Sequence, residues 1–187
     1  IVDSLVGSEM CIRDSSNSIQ NHLKDKKWDH ILFSYHGIPE RHIRKSDITK
    51  SHCKIDQSCC KTSSPAHKYC YRHQCYETTR QVAEYLELKD GSYSSSFQSR
   101  LAGQPWLKPY TDKVVENFAE TGMKNMAIVT PAFVSDCLET LEEIAMEAKE
   151  DFIEKGGNEF HVVPCLNDDK DWVKTLSRWI DEWANIN

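Results

Sequence analysis

The sequence predicts an α/β fold, a four-stranded parallel sheet flanked by helices. Two observations predict it. Short apolar runs alternate with stretches of helical periodicity in the order βαβαβαβα, the pattern of a parallel sheet covered on both faces. Turn and cap residues punctuate the joints, with Gly37, Thr111–Asp112, Gly122 and Gly156–Gly157 lying between periodic segments.

In order, Asn17–Lys27 is polar with Ile19 and Leu23 one helical turn apart, the tail of a helix. Trp28–Ser34 is a strand, followed by a turn and basic loop over Gly37–Thr49. Residues 51–75 lack periodicity and form an irregular insert. Tyr76–Leu88 is a helix with Val82, Tyr85 and Leu86 on one face. Ser92–Gln98 is the second strand, and Gly103, Pro105 and Pro109 make the following stretch a loop. A helix then runs from Thr111 to Glu120 or Thr121. Asn125–Phe133 is the third strand. Ser135 or Asp136 caps a long helix, Cys137–Lys155. Phe160–Cys165 is the fourth strand, and Trp172–Ala184 closes the chain as a helix.

Composition narrows the function. A net charge of -6 argues against nucleic acid as a partner, because phosphate binding needs a basic face. No apolar run is long enough to span a bilayer, which leaves at most a peripheral membrane contact. No GxGxxG follows a strand, so a dinucleotide site has no support. Residues 5–15, LVGSEMCIRDS, resemble a translated sequencing-library adaptor. On that reading residues 1–15 are non-native, Cys11 carries no meaning, and the native lobe is 16–187, with part of the gene missing before it.

In a parallel sheet the carboxyl ends of the strands share one edge, where chemistry gathers. The residues brought there are His36, then Ser99 and Arg100, then Asp136 and Glu139, then Asn167 and Asp168. Imidazole moves protons near neutral pH, which makes His36 a candidate base. Glu139, Glu142 and Glu143 share a helix face and can pass protons or draw a divalent cation. The plainer reading of these acids is a solvated first turn that complements the helix dipole. Trp106 adds a flat ring to the same edge. Such a rim suits a flat apolar ligand bearing carboxylates, with Ser99 and Arg100 for its acid groups.

The sequence holds eight cysteines, and Cys53, Cys59, Cys60, Cys70 and Cys75 fall within the insert. Thiolates in a segment without a core of its own can be organised by a metal, as an iron–sulfur cluster or a zinc site. His52, His67 and His73 offer alternative zinc ligands, and free thiols or loop disulfides remain open. A local cysteine group in a chain of this class points to a reducing, cytoplasmic compartment.

FSYHGIP (Phe33–Pro39), FQSRLAGQPWLKPYTD (Phe97–Asp112), PAFVSDCLETLEEI (Pro131–Ile144) and VPCLND (Val163–Asp168) together resemble the ferrochelatases, enzymes that insert ferrous iron into a porphyrin. The resemblance runs from Trp28 to the end and covers about the C-terminal half of such an enzyme. It implies one Rossmann-like lobe of the two-lobed chelatase fold, with a porphyrin cleft against a missing amino-terminal lobe. It places the family's histidine on His36, its catalytic glutamate on Glu139 in the SDxxET motif, and a further acid on Glu143. His36 and Glu139 would meet the substrate Fe2+. Tyr35, Ser99, Arg100 and Trp106 would lie near the porphyrin edge. Cys137 stands where the family often has His. Some members carry a [2Fe–2S] cluster in an internal segment, which implies Cys53, Cys70 and Cys75 as ligands with Cys59 or Cys60 as the fourth. The implied activity is formation of haem from protoporphyrin IX, absent from this chain alone. The alternatives are a related tetrapyrrole chelatase or a non-catalytic haem- or metal-binding lobe.

Overall fold

The structure is a computed structural model that describes residues 9–186. Four strands, β1 (His30–His36), β2 (Tyr93–Gln98), β3 (Asn125–Val129) and β4 (Glu159–Val162), form one parallel sheet in the order β2-β1-β3-β4. The register sets His36 beside Gln98 and Phe33 beside Val129.

Side-chain alternation divides the core in two. Ile31, Phe33 and Tyr35 of β1 point to the face covered by α1 (Glu9–Leu23) and α3 (Tyr71–Tyr85), with Cys75, Val82 and Phe97. Leu32 points the other way, with Met126 and Ile128 of β3. There it meets α4 (Thr111–Glu120) and a long rod. The rod comprises α5 (Leu138–Leu141), a π-helical stretch (Glu143–Ala148) and α6 (Lys149–Glu154). Ile144, Ala148 and Phe152 of the rod complete this second core. Each fully buried side chain of this size contributes about 2 kcal/mol by leaving water. The last helix, which we number α7 (Lys170–Ile186), packs against α1.

The structure departs from the sequence reading at several joints. A short helix, α2 (Glu40–Ser46), occupies part of the expected basic loop and buries only Ile43. One apolar anchor in seven residues leaves no periodicity to read. Helix α3 begins at Tyr71 rather than Tyr76, so the insert ends inside its first turns and Cys75 lies on the helix. β3 and β4 stop at Val129 and Val162, and the expected strand tails, through Phe133 and Cys165, are loops on the rim. Cys137, rather than Ser135 or Asp136, is the N-cap of α5. α1 begins within the adaptor-like segment, and Ile12 packs in the core with Ile19 and Leu23. Residues 1–8 of that segment lie outside the described residues.

Candidate active site

β1 pairs with β2 on one side and β3 on the other, so the chain reverses its winding between β1 and β3. A parallel sheet opens a crevice at the carboxyl ends of the strands where this happens. Here it is a cleft of about 770 Å³, lined among others by His36, Gln98, Ser99, Trp106, Glu139 and Glu143. His36 and Glu139 are far apart in sequence, but they follow neighbouring strands.

His36 ends β1. Its Nδ1 lies 2.6 Å from the Gly37 carbonyl oxygen. A carbonyl only accepts, so Nδ1 carries the proton and Nε2 keeps its lone pair. Tyr71 donates to the His36 carbonyl at 2.8 Å and fixes the backbone there. The Phe133 ring stands 6.0 Å from the imidazole.

Glu139 sits in the first turn of α5. The cap is reciprocal, with the Cys137 amide donating to Thr140 Oγ1 at 2.9 Å. A hydrogen bond from Cys137 holds the Glu139 carboxyl below the usual carboxylate range, helped by the backbone and by the charge of His36. Glu139 is therefore an anion at neutral pH.

Glu143 is held from β2. Ser99 donates to it twice, from its amide at 2.6 Å and from its hydroxyl at 2.5 Å. The φ of Ser99 is +62°, a left-handed conformation that a serine adopts at a cost of about 1 kcal/mol or more. Gln98 Nε2 donates to the Glu139 carbonyl at 2.7 Å and to Glu143 Oε2 at 3.3 Å. The amide cannot turn around, because Ser34 donates to its Oε1 at 2.7 Å. Behind Ser34 lies Thr111 at 2.8 Å, and behind Thr111 lies Ser96 at 2.9 Å. This buried hydroxyl chain fixes the orientation of Gln98, a residue that sequence reasoning had not selected.

Trp106 lines the cleft and is 7 % exposed; its Nε1 has no partner among the described residues. Arg100 is on the rim, but its guanidinium makes a bidentate pair with Asp112 at 2.5 and 2.7 Å and stacks over Tyr110 at 4.3 Å. It reaches a ligand only if it shares Asp112. Tyr35 is a correction. It is fully buried on the opposite face of the sheet from the cleft, with its hydroxyl 2.9 Å from Thr79 Oγ1. Alternation along β1 puts Tyr35 and its neighbour His36 on opposite sides. Asn167 and Asp136 bond to each other, tying the two last rim loops together.

The insert lies beside α3. Cys53, Cys59, Cys60 and Cys70 line an enclosed space of about 10 Å³ with His52 and His67. Cys75 is fully buried on α3. The Asp47 carboxylate accepts from the backbone amides of Thr49, His52 and Cys53, which sets the entry to the insert. Burial raises the Cys53 thiol and pushes Cys60 up to about 11. Among the described residues no three or more of His, Cys, Asp and Glu are arranged ready to hold a metal ion. Gln57 of the insert donates to the Lys108 carbonyl, and so ties the insert to the loop that carries Trp106.

Comparison with known proteins gives the family of the chain. The family model "Ferrochelatase" matches residues 2–184. The ferrochelatase of Opitutus terrae is 49% identical over 159 residues, covering 85% of this chain and 46% of the relative. That of Pseudomonas fluorescens strain Pf0-1 is 48% identical over 161 residues, covering 86% and 47%. That of Bdellovibrio bacteriovorus is 46% identical over 156 residues, covering 83% and 45%. The chain spans about half the length of the curated relatives it matches. On these matches the chain belongs to the ferrochelatase family.

Proposed function

We propose that the whole protein inserts ferrous iron into protoporphyrin IX to give haem, as a lyase that forms nitrogen–metal bonds, and that this chain supplies one wall of its cleft. The observation that carries the reading is that His36 and Glu139, which follow neighbouring strands, both line one large cleft.

Insertion must remove two pyrrole protons, strip water from the iron and bend the macrocycle. The His36 Nε2 lone pair, free because Nδ1 is bonded to Gly37, takes a pyrrole proton. Glu139, in the lining of the same cleft, supplies a negative charge that favours the imidazolium formed. Glu143, Glu147 and Asp151 continue the row of carboxylates along the outer cleft and lead protons out or draw the substrate cation in. Trp106 supplies an apolar wall. A cleft shaped for the bent ring rather than the flat one spends binding energy on the transition state.

In the whole protein, His36→Ala is expected to lower iron or zinc insertion by 100-fold or more, the usual worth of a positioned base. Initial rates from the loss of porphyrin fluorescence measure it. A variant with near-normal turnover removes His36 from the reaction.

We also propose that the insert binds a [2Fe–2S] cluster, with zinc as the alternative, in a cytoplasmic protein. What supports this is the donor chemistry: four cysteines line one small space, with a fifth near the start of α3. Cys53, Cys59 or Cys60, Cys70 and Cys75 would hold it. Since insertion changes no oxidation state, its role is to organise a segment with little core of its own.

A further inference from the structure

Gln57 extends from the insert toward the cleft. Its Nε2 donates to the Lys108 carbonyl at 2.9 Å. Close by in the chain stands Trp106, an apolar wall of the cleft. The amide is oriented, because Tyr76 of α3 donates to its Oε1 at 2.7 Å and so turns Nε2 to Lys108. The insert sets the backbone that carries this side chain. Gln57 has a φ of +67° and precedes a short 3₁₀ helix, Ser58–Lys61. A left-handed residue other than glycine persists only where its surroundings impose it. Here the Asp56 carboxylate accepts from the Ser58 amide at 3.1 Å and from the Ser58 hydroxyl at 2.7 Å. The Gln57 carbonyl accepts from the Cys60 amide at 2.9 Å.

The segment that receives this bond, 105–109, lies outside the helices and strands, so its place depends on separate ties. The Glu40 amide donates to the Pro105 carbonyl at 3.0 Å, and the Leu107 amide to the Ile38 carbonyl at 3.0 Å. The Phe97 amide of β2 donates to the Pro109 carbonyl at 2.8 Å. Lys108 lies between these ties and is held from the insert. Its ammonium stands 5.5 Å from the Tyr110 ring, on which Arg100 stacks at 4.3 Å. A shift at Lys108 is thus felt at Trp106 on one side and at Arg100 on the other, and both line the cleft. A site whose walls are held before the ligand arrives loses less freedom on binding.

We propose that Gln57 is a positioning residue through which the insert sets the porphyrin-facing wall, by holding Lys108 and with it Trp106 and Arg100. The proposal rests on the chelatase reading of the cleft, and it does not depend on what the insert itself binds. Gln57 is not part of the cleft lining. It therefore acts on the affinity for porphyrin rather than on proton transfer at His36. A bond that only stabilised a surface loop would change stability and leave porphyrin affinity as it is.

The test uses the whole protein, with initial rates of zinc insertion against protoporphyrin concentration and, separately, the porphyrin Kd from fluorescence quenching. Gln57→Gly keeps the left-handed backbone without strain and removes the amide. It is expected to raise KM and Kd for porphyrin about fivefold, the worth of one net hydrogen bond, with kcat changed by less than about twofold. Gln57→Glu still accepts from Tyr76 but cannot donate to the Lys108 carbonyl, so it should do the same. In a Trp106→Leu background, Gln57→Gly should change Kd by less than about twofold, because residues that act through one another are not additive. Porphyrin affinity unchanged in both Gln57 variants, a fall in kcat at unchanged KM, or fully additive effects in the double variant overturns the role. Wild-type protein that binds porphyrin but inserts no metal overturns the chelatase reading, and the Kd values then judge Gln57 by themselves. Wild-type protein that binds no porphyrin overturns both. If Gln57→Gly fails to fold, Gln57→Glu and its double variant with Trp106→Leu decide.

Discussion

Glu143 is held by residues that carry no charge of their own. Ser99 spends a left-handed backbone conformation to aim both its amide and its hydroxyl at one carboxylate. A hydrogen bond to a charged acceptor is worth about 1.5–3 kcal/mol, and each 1.4 kcal/mol is tenfold in rate. Ser99→Ala in the whole protein should therefore lower kcat for insertion about tenfold with little change in KM. Steady-state rates against porphyrin concentration measure this, and a kcat within twofold of wild type would mean that Glu143 needs no such clamp. The residues of this site were unequally legible in the sequence. His36 and Glu139 follow strand and helix boundaries that apolar patterning reveals, and both types announce proton chemistry. Gln98 does not titrate and belongs to no motif of acids or bases, so only its contacts disclose its part. Serine is not a residue that signals positive φ, so the clamp on Glu143 was hidden as well. Tyr35 could have been excluded, since alternation alone separates it from its neighbour His36.

At the scale of elements, the sheet depends on contacts too close for ordinary side chains. A Cβ on Gly37 would lie 2.7 Å from the Gln98 carbonyl oxygen, a backbone atom of the neighbouring strand. That oxygen also accepts the Gly37 amide at 2.8 Å. Gly37→Ala must spread β1 from β2 just where His36 and Gln98 emerge. We expect a loss of about 1–3 kcal/mol in urea unfolding, the usual cost of overpacking. His30, at the start of β1, gives the sheet a pH response. It is buried against Phe118 with its Nε2 2.8 Å from Ser94 Oγ. Burial lowers its pKa, opposed in part by a hydrogen bond that the imidazole donates to the Gly91 backbone. An unfolded histidine binds its proton near pH 6.5, while the folded one resists it. The contribution of His30 is thus complete above about pH 6.5 and lost as pH falls toward the lowered folded value. His22 and His73 shift the same way, also chiefly through burial. Urea midpoints should fall between pH 7 and pH 5, and His30→Gln should flatten that fall; an equal slope in the variant would contradict the assignment. The strands, the end of α1, most of α3 and α7 were legible because each presents a sustained apolar pattern. α2 was not, since one buried residue makes no period. The start of α3 was obscured because Arg72, His73 and Gln74 in its first turn bond to the insert and interrupt the core-facing Tyr71 and Cys75.

At the scale of the whole molecule, the cleft formed by the described residues is open on one side. His36, Trp106, Glu139 and Glu143 all line a hollow open to solvent, and two apolar side chains that line it, Leu101 and Leu138, are exposed. A planar macrocycle resting on such a rim is held from one side. Bending it toward the geometry that accepts a metal takes opposed contacts, and excluding water from the nitrogen atoms takes cover on both faces. One face can bind a porphyrin through apolar contact, yet it cannot strain it, since the ring relaxes away from any push. The chain alone should therefore fold, because its two cores close around one sheet. It should also quench porphyrin fluorescence weakly, and insert iron or zinc at under a hundredth of the rate of the whole protein. Parallel measurements of unfolding, fluorescence quenching and metal insertion on the 187-residue chain separate these outcomes. Robust turnover by the chain alone would show that one wall suffices, and it would shift the source of catalysis from ring strain to the proton chemistry of His36 and Glu139.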